Sequence, residues 1–192
     1  WGVRAGVGPG GRAWGGRWGA GGGRLGGLGR WEGRDGNRGS GGAGADAGVD
    51  DGGGAGRAAA FDERDCRAVF LDDRDAEAYY EGFSNSAIGP LFHGCPQFAR
   101  FNEEEWEAYR RVNERFCEAV LAEARPGDTL WIQDYHLMLP PSMLLEALPD
   151  ASIGCFLHIP FPDYQTFRTL PWRVQIVHGV LGADLLAFHA FD

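Results

Sequence analysis

The sequence predicts an α/β fold, a doubly wound parallel sheet preceded by a glycine- and arginine-rich segment without fixed structure. Three observations carry this. From residue 67 onward, apolar runs of strand length alternate with segments whose apolar residues recur at helical spacing. The two clearest runs, 129–133 and 152–157, each end abruptly in polar, ring-bearing residues and proline. Buried parallel strands end that way where they deliver side chains to a crevice at their carboxyl ends. The glycines also divide the chain: residues 1–60 hold 25 of the 32, and residues 61–192 hold seven.

Residues 1–60 carry too little apolar surface to offset their chain entropy and are expected to be disordered. Residues 61–192 are enough for a core. Arg67 to Leu71 reads as a strand, and Asp73 to Glu81 as a helix with aspartate near its start. Residues 82–94 show no clear period and are expected to form a functional loop or a short helical turn. Asn102 can cap a long helix over 103–124, where three glutamates in the first turn favour the helix dipole. Its apolar positions Trp106, Tyr109, Val112, Phe116, Val120 and Leu121 form one core-facing stripe. Arg125-Pro-Gly-Asp128 ends it. Strand 129–133, helix 140–148, strand 152–157, helical segments over 164–181 and strand 184–188 follow. The chain stops after Asp192 without a cap or closing helix, so a domain truncated at its carboxyl end is expected.

Charge and composition exclude several classes. The net charge of −9 belongs to residues 61–192, which hold 22 acids against ten arginines, and the chain has no lysine. That balance gives no nucleic-acid footprint. No apolar run reaches the roughly 18 residues of a membrane helix, and the amino terminus lacks a signal-peptide core. Cys66, Cys95, Cys117 and Cys155 lie far apart with no CxxC pair, which suits reduced thiols in a cytosol.

The chemistry concentrates at the two strand ends. Asp134 and His136 follow the first strand, and His158 follows the second. A carboxylate placed there can accept hydrogen bonds from sugar hydroxyls and hold a substrate in a reactive pose. Helix capping is the competing role for Asp134, but the expected helix begins six residues on, too far for a cap. His158 precedes Ile-Pro-Phe-Pro, and proline cannot continue a ladder, so the strand must stop and turn the imidazole outward. His136 either orients Asp134 or bonds backbone. A metal site built from these three lacks local histidine pairing and is not expected.

The motifs Asp134-Tyr-His-Leu-Met-Leu-Pro140 and Leu157-His-Ile-Pro-Phe-Pro162, with Phe167 to Arg173 and Leu181 to Leu185, resemble trehalose-6-phosphate synthase, a retaining glycosyltransferase of family 20. Tyr79-Tyr-Glu-Gly-Phe-Ser-Asn-Ser86 and Gly89-Pro-Leu-Phe-His93 are similar to the same family's YY-x-GFSN and WPLFH segments. The resemblance covers roughly Cys66 to Asp192. It implies a partial amino-terminal Rossmann-like domain of a GT-B glycosyltransferase, which transfers glucose from UDP-glucose to glucose 6-phosphate. It places Asp134 at the acceptor's glucose moiety, His158 beside the transferred sugar and Tyr80 at the acceptor's phosphate. Gly89 departs from the family's tryptophan, which lines that phosphate site. Losing the indole implies weaker acceptor binding or a different acceptor. Gly26, Gly27 and Leu28 correspond to a possible donor-phosphate turn after the family's first strand.

The resemblance also implies no metal or other cofactor, since catalysis rests on positioning and on cationic groups of the carboxyl-terminal domain that neutralise the leaving diphosphate. The fragment is expected to be inactive alone. The implied partners are a sugar phosphate and a nucleotide sugar, with a homo-oligomer or a trehalose-synthase complex as the assembly. No nucleic acid or membrane is implied, and the location is cytoplasmic. A regulatory sugar-phosphate-binding homologue without turnover is the alternative that Gly89 favours.

Overall fold

The structure is a computed structural model that describes residues 13–19, 25–31, 66–125 and 127–189. Two segments of the block expected to lack structure are strands, β1 (Ala13–Gly19) and β2 (Leu25–Trp31). They pair antiparallel with each other and with β3 (Cys66–Phe70), in the order β1-β2-β3. Backbone ladders need no side chains, which is how a glycine-rich stretch can enter a sheet. The rest of 1–60 lies outside the described residues. Strand β3 is where the sequence predicts it, but it belongs to this antiparallel sheet and not to the parallel one.

The parallel sheet comprises β4 (Thr129–Gln133), β5 (Ser152–Leu157) and β6 (Leu185–Phe188), in that order. Gln133 stands opposite Phe156, and Leu157 opposite Phe188. Helix α5 (Pro140–Ala147) connects β4 to β5. Helices α6 (Tyr164–Phe167) and α7 (Arg173–Val180) connect β5 to β6. Two consecutive βαβ units therefore bring three strand ends to one edge. Two glycines let α7 seat against the first unit: a Cβ on Gly179 would meet the Met138 carbonyl oxygen at 2.3 Å, and one on Gly182 would meet Ser142 Cα at 2.3 Å.

The residues between β3 and β4 are helical nearly throughout. Helix α1 (Asp73–Glu77) is capped by Asp72, whose Oδ1 accepts from Asp75 N at 2.8 Å. The chain continues as the π-helical α2 (Ala78–Ile88) and as α3 (Gly89–Phe92), so the expected loop over 82–94 is helix up to Phe92. Buried Tyr79, Phe83, Ile88 and Phe92 fall at spacings of four and five, which suits i→i+5 hydrogen bonding and not an ordinary helix period. Helix α4 (Glu103–Glu123) starts at Asn102, whose Oδ1 accepts from Glu104 N at 2.8 Å. Its stripe is as expected except at Leu121, which is exposed. Asn113 and Cys117 are buried on that face instead. Phe83, Trp106, Tyr109 and Trp172 form one aromatic cluster, with Trp106 and Trp172 stacked at 5.3 Å.

Candidate functional site at the carboxyl ends of the parallel strands

Strand β4 ends in a local backbone conformation that ordinary residues avoid. Asp134 has φ 73° and ψ 167°, and it is the one non-glycine residue with positive φ among the described residues. This region is essentially reserved for glycine and costs of the order of 1–3 kcal/mol, so surrounding bonds must hold it. They do: Asp134 N donates to Phe156 O at 2.7 Å, which carries the ladder one residue past the strand. Asp134 Oδ1 accepts from Tyr135 N at 2.9 Å and from His158 N at 3.3 Å. Asp134 thus caps the short 3-10 turn Tyr135–Leu137. The capping role set aside on grounds of distance from Pro140 returns here, because a turn one residue away uses the carboxylate.

The turn after Asp134 is held from beneath by buried polar groups of α2 and α4. Tyr79 donates its hydroxyl to the His136 carbonyl at 2.9 Å, and Asn113 Nδ2 donates to the same oxygen at 3.2 Å. The Tyr109 hydroxyl donates to Tyr135 O at 2.8 Å and accepts from Met138 N at 3.0 Å. Asn113 Oδ1 accepts from Leu139 N at 3.4 Å. Burial pushes the Tyr79 and Tyr109 hydroxyls far above their ordinary range, so both are neutral donors at any working pH. Burial, with the Asp134 charge adding to it, takes Tyr135 up to about 12.

Four of the candidate residues, Tyr80, Asp134, His136 and His158, come together. The Tyr80 ring lies on His136, with centroids 5.2 Å apart and planes within 13°. His136 Nδ1 lies 4.0 Å from Asp134 Oδ2, and Asp134 Oδ1 reaches the backbone of His158. The exposed His158 imidazole bonds through Nε2 to Gln133 Oε1 at 2.5 Å. His136 lies against Asp134 at a distance too long for a hydrogen bond, and it is its carbonyl, accepting from Tyr79 and Asn113, that anchors the turn. Its ring is buried between Tyr80 and Tyr135. Burial lowers its pKa to about 4, while the Asp134 carboxylate acts in the opposite direction.

Gly89 lies further along the same helical run, buried at the start of α3 with φ −51°. Its carbonyl accepts from His93 N at 3.1 Å and lies 2.7 Å from the His93 ring. Gly26, Gly27 and Leu28 do not form a turn. They are inside β2, opposite Trp18, Arg17 and Gly16 on one side and Val69, Ala68 and Arg67 on the other. Backbone groups committed to two ladders are poorly placed to cradle a phosphate.

Two further residues escape the sequence reading. His189, directly after β6, brings its ring within 5.5 Å of His158. The strand-end argument that singles out Asp134 and His158 applies to it equally. Gln133 gave no signal, because alternation along a strand assigns it to the face opposite Asp134. A cleft of about 1020 Å³ lies elsewhere, between α1, α2 and the start of α4. Its lining sets Asp75, Glu77, Glu81, Glu103, Glu104, Glu105 and Glu107 against Arg74 and Arg111, a net negative wall that disfavours an anionic substrate. Among the described residues, no group of three His, Cys, Asp or Glu side chains is arranged to hold a metal ion, and no helix is long and apolar enough to cross a membrane.

The model of glycosyltransferase family 20 matches residues 54–192. A bifunctional trehalose-6-phosphate synthase/phosphatase of Thermoproteus tenax is 50% identical over 126 residues, which are 65% of this chain and 17% of that protein. The UDP-forming α,α-trehalose-phosphate synthase of Schizosaccharomyces pombe is 49% identical over 135 residues, covering 68% of this chain and 26% of that one. Among solved structures, the Burkholderia vietnamiensis UDP-forming synthase superposes with a TM-score of 0.61 at 37% identity, covering 63% of this chain and 27% of its own. The Burkholderia xenovorans enzyme in complex with glucose-6-phosphate gives 0.61 at 33% identity, covering 65% and 27%. This chain therefore spans about a quarter or less of the length of these relatives, and it belongs to glycosyltransferase family 20.

Proposed function

We propose that this member of glycosyltransferase family 20 forms the acceptor side of a trehalose-6-phosphate synthase, whose whole protein transfers glucose from UDP-glucose to glucose 6-phosphate and releases UDP. The observation that carries the reading is the convergence of Tyr80, Asp134 and His158 at the carboxyl edge of the parallel sheet, around a strained turn held by buried hydrogen bonds. The Asp134 carboxylate accepts hydrogen bonds from acceptor hydroxyls and fixes the attacking oxygen. The Tyr80 phenol, half-buried beside His136, bonds the acceptor's phosphate. His158 faces the transferred sugar. Holding two substrates in reactive geometry supplies much of such a rate enhancement, and charge stabilisation at the departing diphosphate supplies the rest. No described residue of this chain is assigned to that diphosphate. We place the reaction in the cytoplasm, without cofactor, in a homo-oligomer or a trehalose-synthase complex.

The test is UDP release from UDP-glucose and glucose 6-phosphate by the full-length protein. Wild type is expected to turn over, and Asp134→Asn to lose at least 100-fold in kcat/KM. Full-length protein that binds glucose 6-phosphate without releasing UDP would replace this reading with the regulatory one, which Gly89 favours. Release with another sugar phosphate only would revise the acceptor. Glucosyl transfer by the present chain alone would overturn the assignment of the diphosphate site to other parts of the protein.

A further inference from the structure

Gln133 and Asp134 are consecutive, yet both reach His158. Oε1 of Gln133 lies 2.5 Å from His158 Nε2, and Oδ1 of Asp134 accepts from His158 N at 3.3 Å. Consecutive side chains of an extended strand point to opposite faces, so one of the two would ordinarily be directed away. The positive φ of Asp134 breaks that alternation at the strand's last residue. The strain there has a structural product, in which one strand end grips both the backbone and the ring of a residue on the next strand.

We infer that Gln133 is a positioning residue that fixes the tautomer of His158, holding the proton on Nε2 and leaving Nδ1 as a hydrogen-bond acceptor for a sugar hydroxyl. The amide oxygen of glutamine only accepts, so a neutral imidazole facing it must carry its proton on Nε2. Gln133 is buried at 6% exposure, which removes water as a competing partner on its side. His158 is exposed, so no other packing settles its orientation; Phe156 and His189 touch it only by ring contacts, at 4.7 and 5.5 Å. A histidine whose second nitrogen is fixed by a neighbour is the usual way such a ring is given one role and not two. The inference rests on the proposed sugar-transfer reading only for what Nδ1 meets. The tautomer itself is independent of substrate.

The test uses ring-¹⁵N-histidine NMR on the full chain near pH 8, with His158 assigned by loss of its signals in His158→Gln. Wild type is expected to show a bare Nδ1 and an Nε2–H proton resonance retained against exchange with water. Gln133→Glu, which keeps an oxygen acceptor, should retain that resonance, and Gln133→Leu should lose it. A dominant Nδ1–H signal in wild type, or an unchanged Nε2–H resonance in Gln133→Leu, overturns the inference. If Gln133→Leu fails to fold, the wild-type and Gln133→Glu spectra still decide. In the full-length protein, Gln133→Leu should lower kcat about 10-fold, with Gln133→Glu restoring it and the acceptor KM unchanged. A full-length protein without any transfer, but with the expected ring spectrum, would sink the proposed function and leave the tautomer assignment standing.

Discussion

Acid should destabilise this domain through one buried ring. Burial holds His136 at about 4, against an ordinary value of 6.5. Among the described residues, the groups facing it include the Asp134 carboxylate at 4.0 Å and the rings of Tyr79, Tyr80 and Tyr135. Of these only Asp134 favours the protonated form, and it does not offset the burial. The sign follows from which state takes up the proton. Between pH 6.5 and 4 the unfolded chain carries a protonated His136 and the folded chain a neutral one, so folding expels a proton. The stabilising contribution is complete above about pH 6.5 and is lost as the pH falls towards 4. The gap of about 2.5 pH units, at about 1.4 kcal/mol each, amounts to about 3–4 kcal/mol, of which about 3 is lost by pH 4, where the folded ring is half protonated; that is a large share of a typical domain's stability. Urea denaturation from pH 7.5 to 4 measures it, with His136→Gln as the reference. That variant keeps the carbonyl bonded to Tyr79 and Asn113 but cannot titrate. The wild type should lose about 3 kcal/mol more than the variant across the window. A His136 Cε1–H resonance titrating between pH 6 and 7, or equal pH slopes for the two proteins, would refute the reasoning.

Three other perturbations probe the scaffold beneath the site. Tyr109→Phe strips a donor from Tyr135 O and an acceptor from Met138 N, both buried by α4, and should cost about 2–4 kcal/mol by denaturant midpoint. Gly179→Ala gains up to about 1 kcal/mol of helix propensity, but its Cβ would meet the Met138 carbonyl at 2.3 Å. Because that neighbour is backbone, a net loss of about 1–3 kcal/mol is expected in thermal unfolding. Gly89→Ala should instead stabilise by about 0.4–1 kcal/mol, since φ is −51° and a Cβ there meets only Ser84 O at 3.4 Å. In the full-length protein, Gly89→Trp should tighten glucose 6-phosphate binding in calorimetry by adding an indole face and donor; unchanged affinity would argue for a different acceptor.

What the sequence reveals here, and what it hides, divides along one physical line. Features set by local periodicity and capping are legible: α4 from its Asn102 cap and aromatic stripe, and β4 and β5 from apolar runs ended by polar rings and proline. The strand-end rule locates Asp134 and His158, and applied once more after β6 it would have located His189. The helical run from Asp73 to Phe92 is hidden where π-helical turns replace the ordinary period, so apolar residues at spacings of four and five look aperiodic to a search for 3.6. Leu121 misleads because it lies at the edge of the stripe, where neighbouring elements decide which of two adjacent apolar residues is covered.

The strain at Asp134 is hidden most deeply, because nothing in the letter D announces a backbone that glycine would adopt more easily. Replacing Asp134 by glycine would relax the backbone but remove both bonds accepted by Oδ1, one of which holds His158. Glycine would give the same turn with nothing at its tip to grip β5 or meet a hydroxyl. The cost of about 1–3 kcal/mol is sustained by a buried set of hydroxyl and amide bonds from Tyr79, Tyr109 and Asn113, none of which reaches the crevice. An aspartate held there against its own conformational preference, with its carboxylate at the end of a parallel strand, has the placement that the proposed acceptor-binding role requires.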